Sequence, residues 1–257
     1  MTCTCSSDRG RQPLQGLVNQ AMTTLVTIPG IMSDARTWST VAEAVSLAEA
    51  TVHVADISRD DTIEDMAARS LTETDGDLIV LAHSMGGRVA LEMGRQAPDR
   101  IRAMVLANTN ADGVGECEPA HRETRIAEAN ADMIAYALGW VPKVISNASK
   151  HKPDLIAAIL KMVADCPPAV HERQNRALMA RPDATAYLPD LCFPVLLLTG
   201  SEDHLATRAS NEALAKLLKD AEVQVIEDAA HLLPFEQPEE LVATILRWFR
   251  RREMKLI

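Results

Sequence analysis

The stretch DLIVLAHSMGGRVALEMG, residues 77–94, decides the fold of this chain. Its first part, LIVLA at 78–82, is a continuous apolar run of strand length, and from Met85 onward apolar residues recur at helical spacing. Between the two, Ser84 falls on a tight strand-to-helix turn with Ala82 and Gly86 on either side. Such a turn exposes a serine hydroxyl on a strained backbone and leaves no room for large side chains two residues away. The pattern is A-x-S-x-G rather than G-x-S-x-G, so taken alone it fits either a nucleophile or a closely packed turn.

Outward from this unit lie further strand-like runs: TLVTI (24–28), TVHVA (51–55), AMVLAN (103–108), PVLLLTG (194–200) and VQVIED (223–228). Most are near-continuously apolar, as parallel strands covered on both faces require. Helical patterns separate them at 38–50, 62–73, 85–98, 208–220 and 238–251. In the last, Leu241, Ile245 and Trp248 share a face and Pro238 suits the first turn. Strand alternating with helix predicts an α/β fold with a mostly parallel, doubly wound sheet. The alternation lapses between Thr109 and Leu191, where helical segments such as HRETRIAEANADMIAYALG and PDLIAAILKMVAD are punctuated by Pro142, Pro153, Pro167 and Pro168. In the second segment Leu155, Ile156, Ile159, Leu160 and Val163 form a stripe. The expected organisation is a core of residues 23–108 and 192–257 with a helical cap inserted at 109–191. Residues 1–22 are polar and aperiodic, lack the apolar core of a secretory signal, and read as a disordered extension; Met22 is a second candidate start.

A nucleophilic serine needs a base, a group that orients the base, and backbone donors for the oxyanion. LLLTGSEDH ends one strand and puts Asp203 in the loop beyond; IEDAAHLLPFEQPEELV ends another and puts His231 just before the final helix. All three residues follow strand C-termini, the edge where open parallel sheets build their sites. The order Ser84, Asp203, His231 is nucleophile, acid, histidine. Glu202 and Asp228 are rival acids, being adjacent to Asp203 and three residues before His231.

On TIPGIMSDARTW after the first strand, AHSMGG at the elbow, GSED and AAHLLPFEQPEEL, residues 23–251 resemble the α/β-hydrolase superfamily. The cap looks broadly like those of small bacterial esterases and enol-lactone hydrolases. The resemblance favours Asp203 as the acid. It also implies an oxyanion hole from the loop after the first strand and the residue after the nucleophile, here the backbone N–H groups of Ile31 and Met85. That loop usually carries His-Gly-x; here Pro29 stands for the histidine and Gly30 is retained. The implied activity is two-step acyl transfer on a small ester or lactone, needing no metal or organic cofactor. Carbon–carbon bond hydrolysis of a dienoic diketone acid would use the same triad, and a non-catalytic ligand-binding protein is the reading from another class.

Composition limits the partners. The 257 residues hold 26 basic and 36 acidic side chains, a formal net charge of −10, which disfavours nucleic acid and anionic membrane surfaces. No apolar run approaches the roughly 20 residues needed to span a bilayer. The partner expected is a small molecule, and a homo-oligomer is compatible with this surface. The five cysteines are scattered, pointing to a reducing, cytoplasmic compartment; Cys3 and Cys5 read as part of a surface tail. His53, His83, His121, His151 and His171 show no metal-ligand spacing. His53 reads as structural and His83 as packing on neighbouring loops. Arg122 and Arg125, candidates for a substrate carboxylate, read more readily as solvated surface, and the methionine stripes at Met133 and Met162 as core.

Overall fold

The structure is a computed structural model that describes residues 23–46 and 51–254. The expectations for residues 1–22, including the extension, Met22, Cys3 and Cys5, lie outside the described residues.

Six strands form one sheet: β1 (Thr23–Ile28), β2 (Thr51–Val54), β3 (Asp77–His83), β4 (Ile101–Ala107), β5 (Val195–Gly200) and β6 (Ala221–Ile226). Every pairing is parallel, in the order β2-β1-β3-β4-β5-β6. Side chains alternate across a strand, so the apolar runs feed two cores. Val26, Ile28, Leu78, Val80, Leu106 and Leu197 point to one, under α2 (Ile63–Thr72), α3 (Met85–Gln96) and α8 (Arg208–Ala215). Leu25, Ile79, Leu81, Val105, Leu196 and Leu198 point to the other, under α1 (Ser39–Ser46) and α10 (Pro238–Arg251). The expected stripe of α10 is buried there: Leu241, Ile245 and Trp248 are each 0% exposed. Each contributes on the order of 1.5–3 kcal/mol by its removal from water. The helix patterned at 208–220 stops early, at Ala215, and gives way to turns before β6.

Between β4 and β5 the chain is helical: α4 (Glu118–Ala131), α5 (Met133–Trp140), α6 (Pro153–Asp165) and α7 (Pro168–Ala180). The segment patterned at 121–139 is two helices, because Asp132 accepts the N–H groups of Ile134 and Ala135 and starts a new one. This layer has its own core, in which Met133, Met162, Ile159 and Val163 pack against Met32 and Leu232 from loops at the sheet edge. The layer therefore sits on the strand C-termini. A four-residue helix, α9 (Leu233–Glu236), precedes α10. Among the described residues no helix is long and apolar enough to cross a membrane.

Strand order reverses between β1 and β3, which are hydrogen-bonded neighbours with Ile28 opposite Ala82. Loops leaving such a switch point diverge and open a crevice.

Candidate active site

Ser84 is the first residue past β3, with φ 51° and ψ −115°, a left-handed conformation for a residue with a side chain. Its N–H donates to the Ala107 carbonyl (2.9 Å), and its own carbonyl accepts from Gly87 N–H (3.0 Å) and the Thr109 hydroxyl (2.8 Å). These bonds offset a conformation that costs on the order of 1–3 kcal/mol. The turn also needs a small residue at 86, where a Cβ would come within 2.4 Å of the Pro29 carbonyl oxygen. Ala82, 0% exposed, fits beneath the turn without a side chain to displace.

The other two predicted side chains come to this serine from 119 and 147 residues away in sequence. His231 Nε2 lies 2.8 Å from Ser84 Oγ, and His231 Nδ1 lies 3.1 Å from Asp203 Oδ2. With Nδ1–H donating to the carboxylate, Nε2 is left to accept from the serine hydroxyl. Asp203 is 5% exposed and also accepts Leu205 N–H (2.8 Å), Ala206 N–H (3.1 Å) and Asn108 Nδ2 (2.8 Å). Burial by itself would raise its pKa; the bonds from His231 and Asn108 win and hold it well below the carboxylate range. The rivals lie elsewhere. Glu202 accepts from Asn147, and Asp228 is exposed and among the described residues offers only its carbonyl oxygen, to Ser146 and Gln237.

The His231 loop is tied down on three sides. Its N–H donates to the Val144 carbonyl (3.1 Å), its carbonyl accepts His83 Nε2 (2.7 Å), and buried Glu236 accepts the N–H groups of Ala230 (2.9 Å) and Ser146 (2.6 Å). His83 thus does more than pack beside the nucleophile. Burial, reinforced by the nearby His231, pushes its pKa down to about 3, which keeps it neutral.

Gly30 lies against the serine, since a Cβ there would be 2.7 Å from His83 Nδ1 and 3.3 Å from Ser84 Cβ. Beyond it, Met32 has φ 55° and donates its N–H to Gln174 Oε1 (3.0 Å) on α7. Among the described residues no protein acceptor takes the N–H of Ile31 or of Met85. Both residues line, with Ser84 and His231, a cavity of about 470 Å³.

Trp140, Tyr136 and Leu178 supply apolar wall to this cavity. Arg122 and Arg125 line it as well. Contrary to the surface reading, the Arg122 side chain is only 13% exposed and bonds Glu118 and Asn175. Asn108, Gln174, Glu236 and Arg88 are site residues that sequence reasoning missed. Among the described residues no cluster of three or more His, Cys, Asp or Glu is placed to hold a metal ion.

Residues 13–244 match the family described as "Alpha/beta hydrolase family". A pimeloyl-(acyl-carrier protein) methyl ester esterase of Neisseria meningitidis is 30% identical over 196 residues, covering 73% of this chain and 61% of that protein. The 3-oxoadipate enol-lactonase 1 of Acinetobacter baylyi is 29% identical over 195 residues, 73% of this chain and 71% of its own. In structure, a thermophilic esterase from Thermogutta terrifontis superposes with a TM-score of 0.79 at 26% identity, covering 90% of each chain. With a matched segment that takes in all six strands and the residues at 84, 203 and 231, the chain belongs to the alpha/beta hydrolase family.

Proposed function

We propose that this protein is a serine hydrolase that cleaves a small carboxylic ester or lactone by two-step acyl transfer. The observation that carries this reading is the hydrogen-bonded series Ser84 Oγ, His231 Nε2, His231 Nδ1, Asp203 Oδ2, opening into a cavity beside two unengaged backbone N–H groups. The Neisseria meningitidis relative is a methyl ester esterase and the Acinetobacter baylyi relative an enol-lactonase, which favours the same chemistry.

In the first step His231 Nε2 takes the Ser84 proton as Oγ bonds to the substrate carbonyl carbon. The carbonyl π electrons move to oxygen, and the oxyanion accepts from Ile31 and Met85 N–H, each supplying roughly 3–4 kcal/mol to the transition state. Collapse expels the alkoxide, which leaves as an alcohol with the proton from His231; a lactone keeps it as a tethered hydroxyl. Water then loses a proton to His231 and attacks the acyl carbon, and Ser84 recovers its proton as the acid departs. Asp203, held ionised by its bonds, fixes the imidazole tautomer and stabilises the imidazolium. This sequence needs no metal or organic cofactor. The helices of residues 109–191 act as a cap, keeping the acyl-enzyme from bulk water. Cys117, Cys166 and Cys192, which form no disulfide among the described residues, fit a reducing compartment such as the cytoplasm.

Turnover of p-nitrophenyl acetate through butyrate by wild type, abolished in Ser84→Ala, tests the mechanism. Fluorophosphonate labelling is expected on the peptide that holds Ser84. Equal rates in the two proteins would refute the serine mechanism.

A further inference from the structure

The chain is acidic, yet the Ser84 cavity is walled by cations. Arg88, Arg122, Arg125 and Arg181 line it against two carboxylates, Glu116 and Glu118. These arginines are not equivalent. Arg181 is built into the fold: its guanidinium bonds Glu118 through both oxygens and the carbonyls of Asp112, Gly113 and Leu178. Arg122 draws on the same Glu118, so a single carboxylate serves two guanidiniums.

Arg88 has no such partner. It stands one helical turn after Ser84 on α3 and is 8% exposed. Its protein acceptors are the Asp112 carbonyl (2.7 Å) and the Asn110 amide oxygen, both neutral. Among the described residues no carboxylate makes an ion pair with it, and most of its five N–H donors remain unused. A buried cation without a counter-ion is a costly arrangement. The strain shows in its pKa, which burial, followed by repulsion from Arg181, pushes down to about 9. The field extends deeper. Buried His171, both of whose ring nitrogens lack partners among the described residues, is pushed down to about 4 by burial and then by Arg125 and Arg122.

We propose that the ester or lactone cleaved at Ser84 carries a carboxylate, which the cationic wall of Arg88, Arg122 and Arg125 receives. This rests on the hydrolase reading above. A planar carboxylate takes two N–H donors of a guanidinium at once and returns to Arg88 the counter-charge the fold withholds. The apolar residues Ile31, Met32, Tyr136 and Trp140 cover the remaining wall and suit the carbon chain between the two ends. A cationic cavity in an acidic protein also concentrates anions where the exterior repels them.

The test compares monomethyl succinate, glutarate and adipate with the neutral methyl esters of acids of the same chain length, and with a methyl ester ending in a phosphonate. At least one monomethyl ester is expected to exceed its neutral partner in kcat/KM by about tenfold or more. That ratio is expected to fall about tenfold in Arg88→Met and in Arg122→Gln. Arg102→Gln, at the opposite edge of the sheet where Arg102 pairs with Asp77, keeps it. Equal or faster turnover of the neutral esters, or a ratio unchanged in both cavity variants, overturns the inference. Preference for the phosphonate assigns the wall to a phosphate instead and overturns the carboxylate. Calorimetric titration of Ser84→Ala with monomethyl glutarate and methyl pentanoate reads anion recognition without turnover. Tighter binding of the anionic ester, together with a wild type that turns over none of these esters, would refute the hydrolase reading alone; equal binding would refute the anion site.

Discussion

Asn108 donates from Nδ2 to Asp203 Oδ2 at 2.8 Å, joining residues 95 apart in the chain. The same nitrogen donates to the Ala230 carbonyl at 3.0 Å, so one buried amide fixes both the acid and the loop that carries His231. Asn108 reaches them from a backbone at φ 54°, where asparagine is tolerated better than most residues.

Asn108→Gly separates the side chain from the backbone, because glycine adopts φ 54° freely while losing both bonds. In steady-state assays on p-nitrophenyl butyrate, kcat is expected to fall roughly tenfold to hundredfold with KM little changed, as an orienting partner is lost. Urea unfolding should show a loss of about 1–3 kcal/mol for the unsatisfied buried groups. Asn108→Ala, which adds left-handed strain, should lose roughly 1 kcal/mol more.

Gly86→Ala tests the elbow. The added Cβ would lie 2.4 Å from the Pro29 carbonyl oxygen and 2.7 Å from that of Ile28, and neither is a side chain that can swing aside. Either α3 or the Gly30 loop must move, shifting Met85 relative to Ile31. Expected are a destabilisation of about 1–3 kcal/mol in urea melts and loss of most esterase activity in the protein that still folds.

The four inner strands β1, β3, β4 and β5 were legible because they are buried on both faces, which leaves continuous apolar runs such as Leu78–Ala82 in the sequence; the edge strands β2 and β6 are only partly buried. Ser84 and its candidate partners could be placed because each follows a strand end, and strand ends converge at one edge. Glu236 and Gln174 were not legible: each accepts a backbone N–H from a distant segment, that of Ser146 and of Met32, and no local periodicity records such bonds. Asp132 did leave a signal, a capping residue before the apolar MIAYALGW, inside what reads as one helix. Arg122 resembled a surface arginine because α4 is polar overall; only packing against α7 turns it towards the cavity.

Gln174→Ala tests the link between α7 and the loop bearing Ile31. Gln174 is 2% exposed and accepts the Met32 N–H, which holds Met32 at φ 55°. Without it the loop loses its fixed turn and Ile31 N–H its aim, so kcat should fall about tenfold or more while KM changes little. Gln174→Glu keeps an acceptor for Met32 and should recover part of the rate. Comparable losses in KM and kcat would point instead to a disturbed cavity.

His83 sets a pH dependence of stability. Its folded pKa lies near 3 against an ordinary value of 6.5, so below pH 6.5 the unfolded chain binds a proton that the folded chain refuses. Stability therefore falls as pH drops from 6.5 towards 3, by up to about 1.4 kcal/mol per pH unit from this residue, and above 6.5 it contributes no slope. His171, pushed down to about 4, adds to the same trend. Asp203, with its folded pKa depressed, stabilises above the ordinary carboxylate range and withdraws that contribution only at lower pH. His83→Gln keeps a donor for the His231 carbonyl but cannot titrate. Denaturant midpoints between about pH 7 and pH 4 should fall less steeply in the variant, by close to the single-group slope. Parallel profiles would show that His83 is protonated in the folded protein.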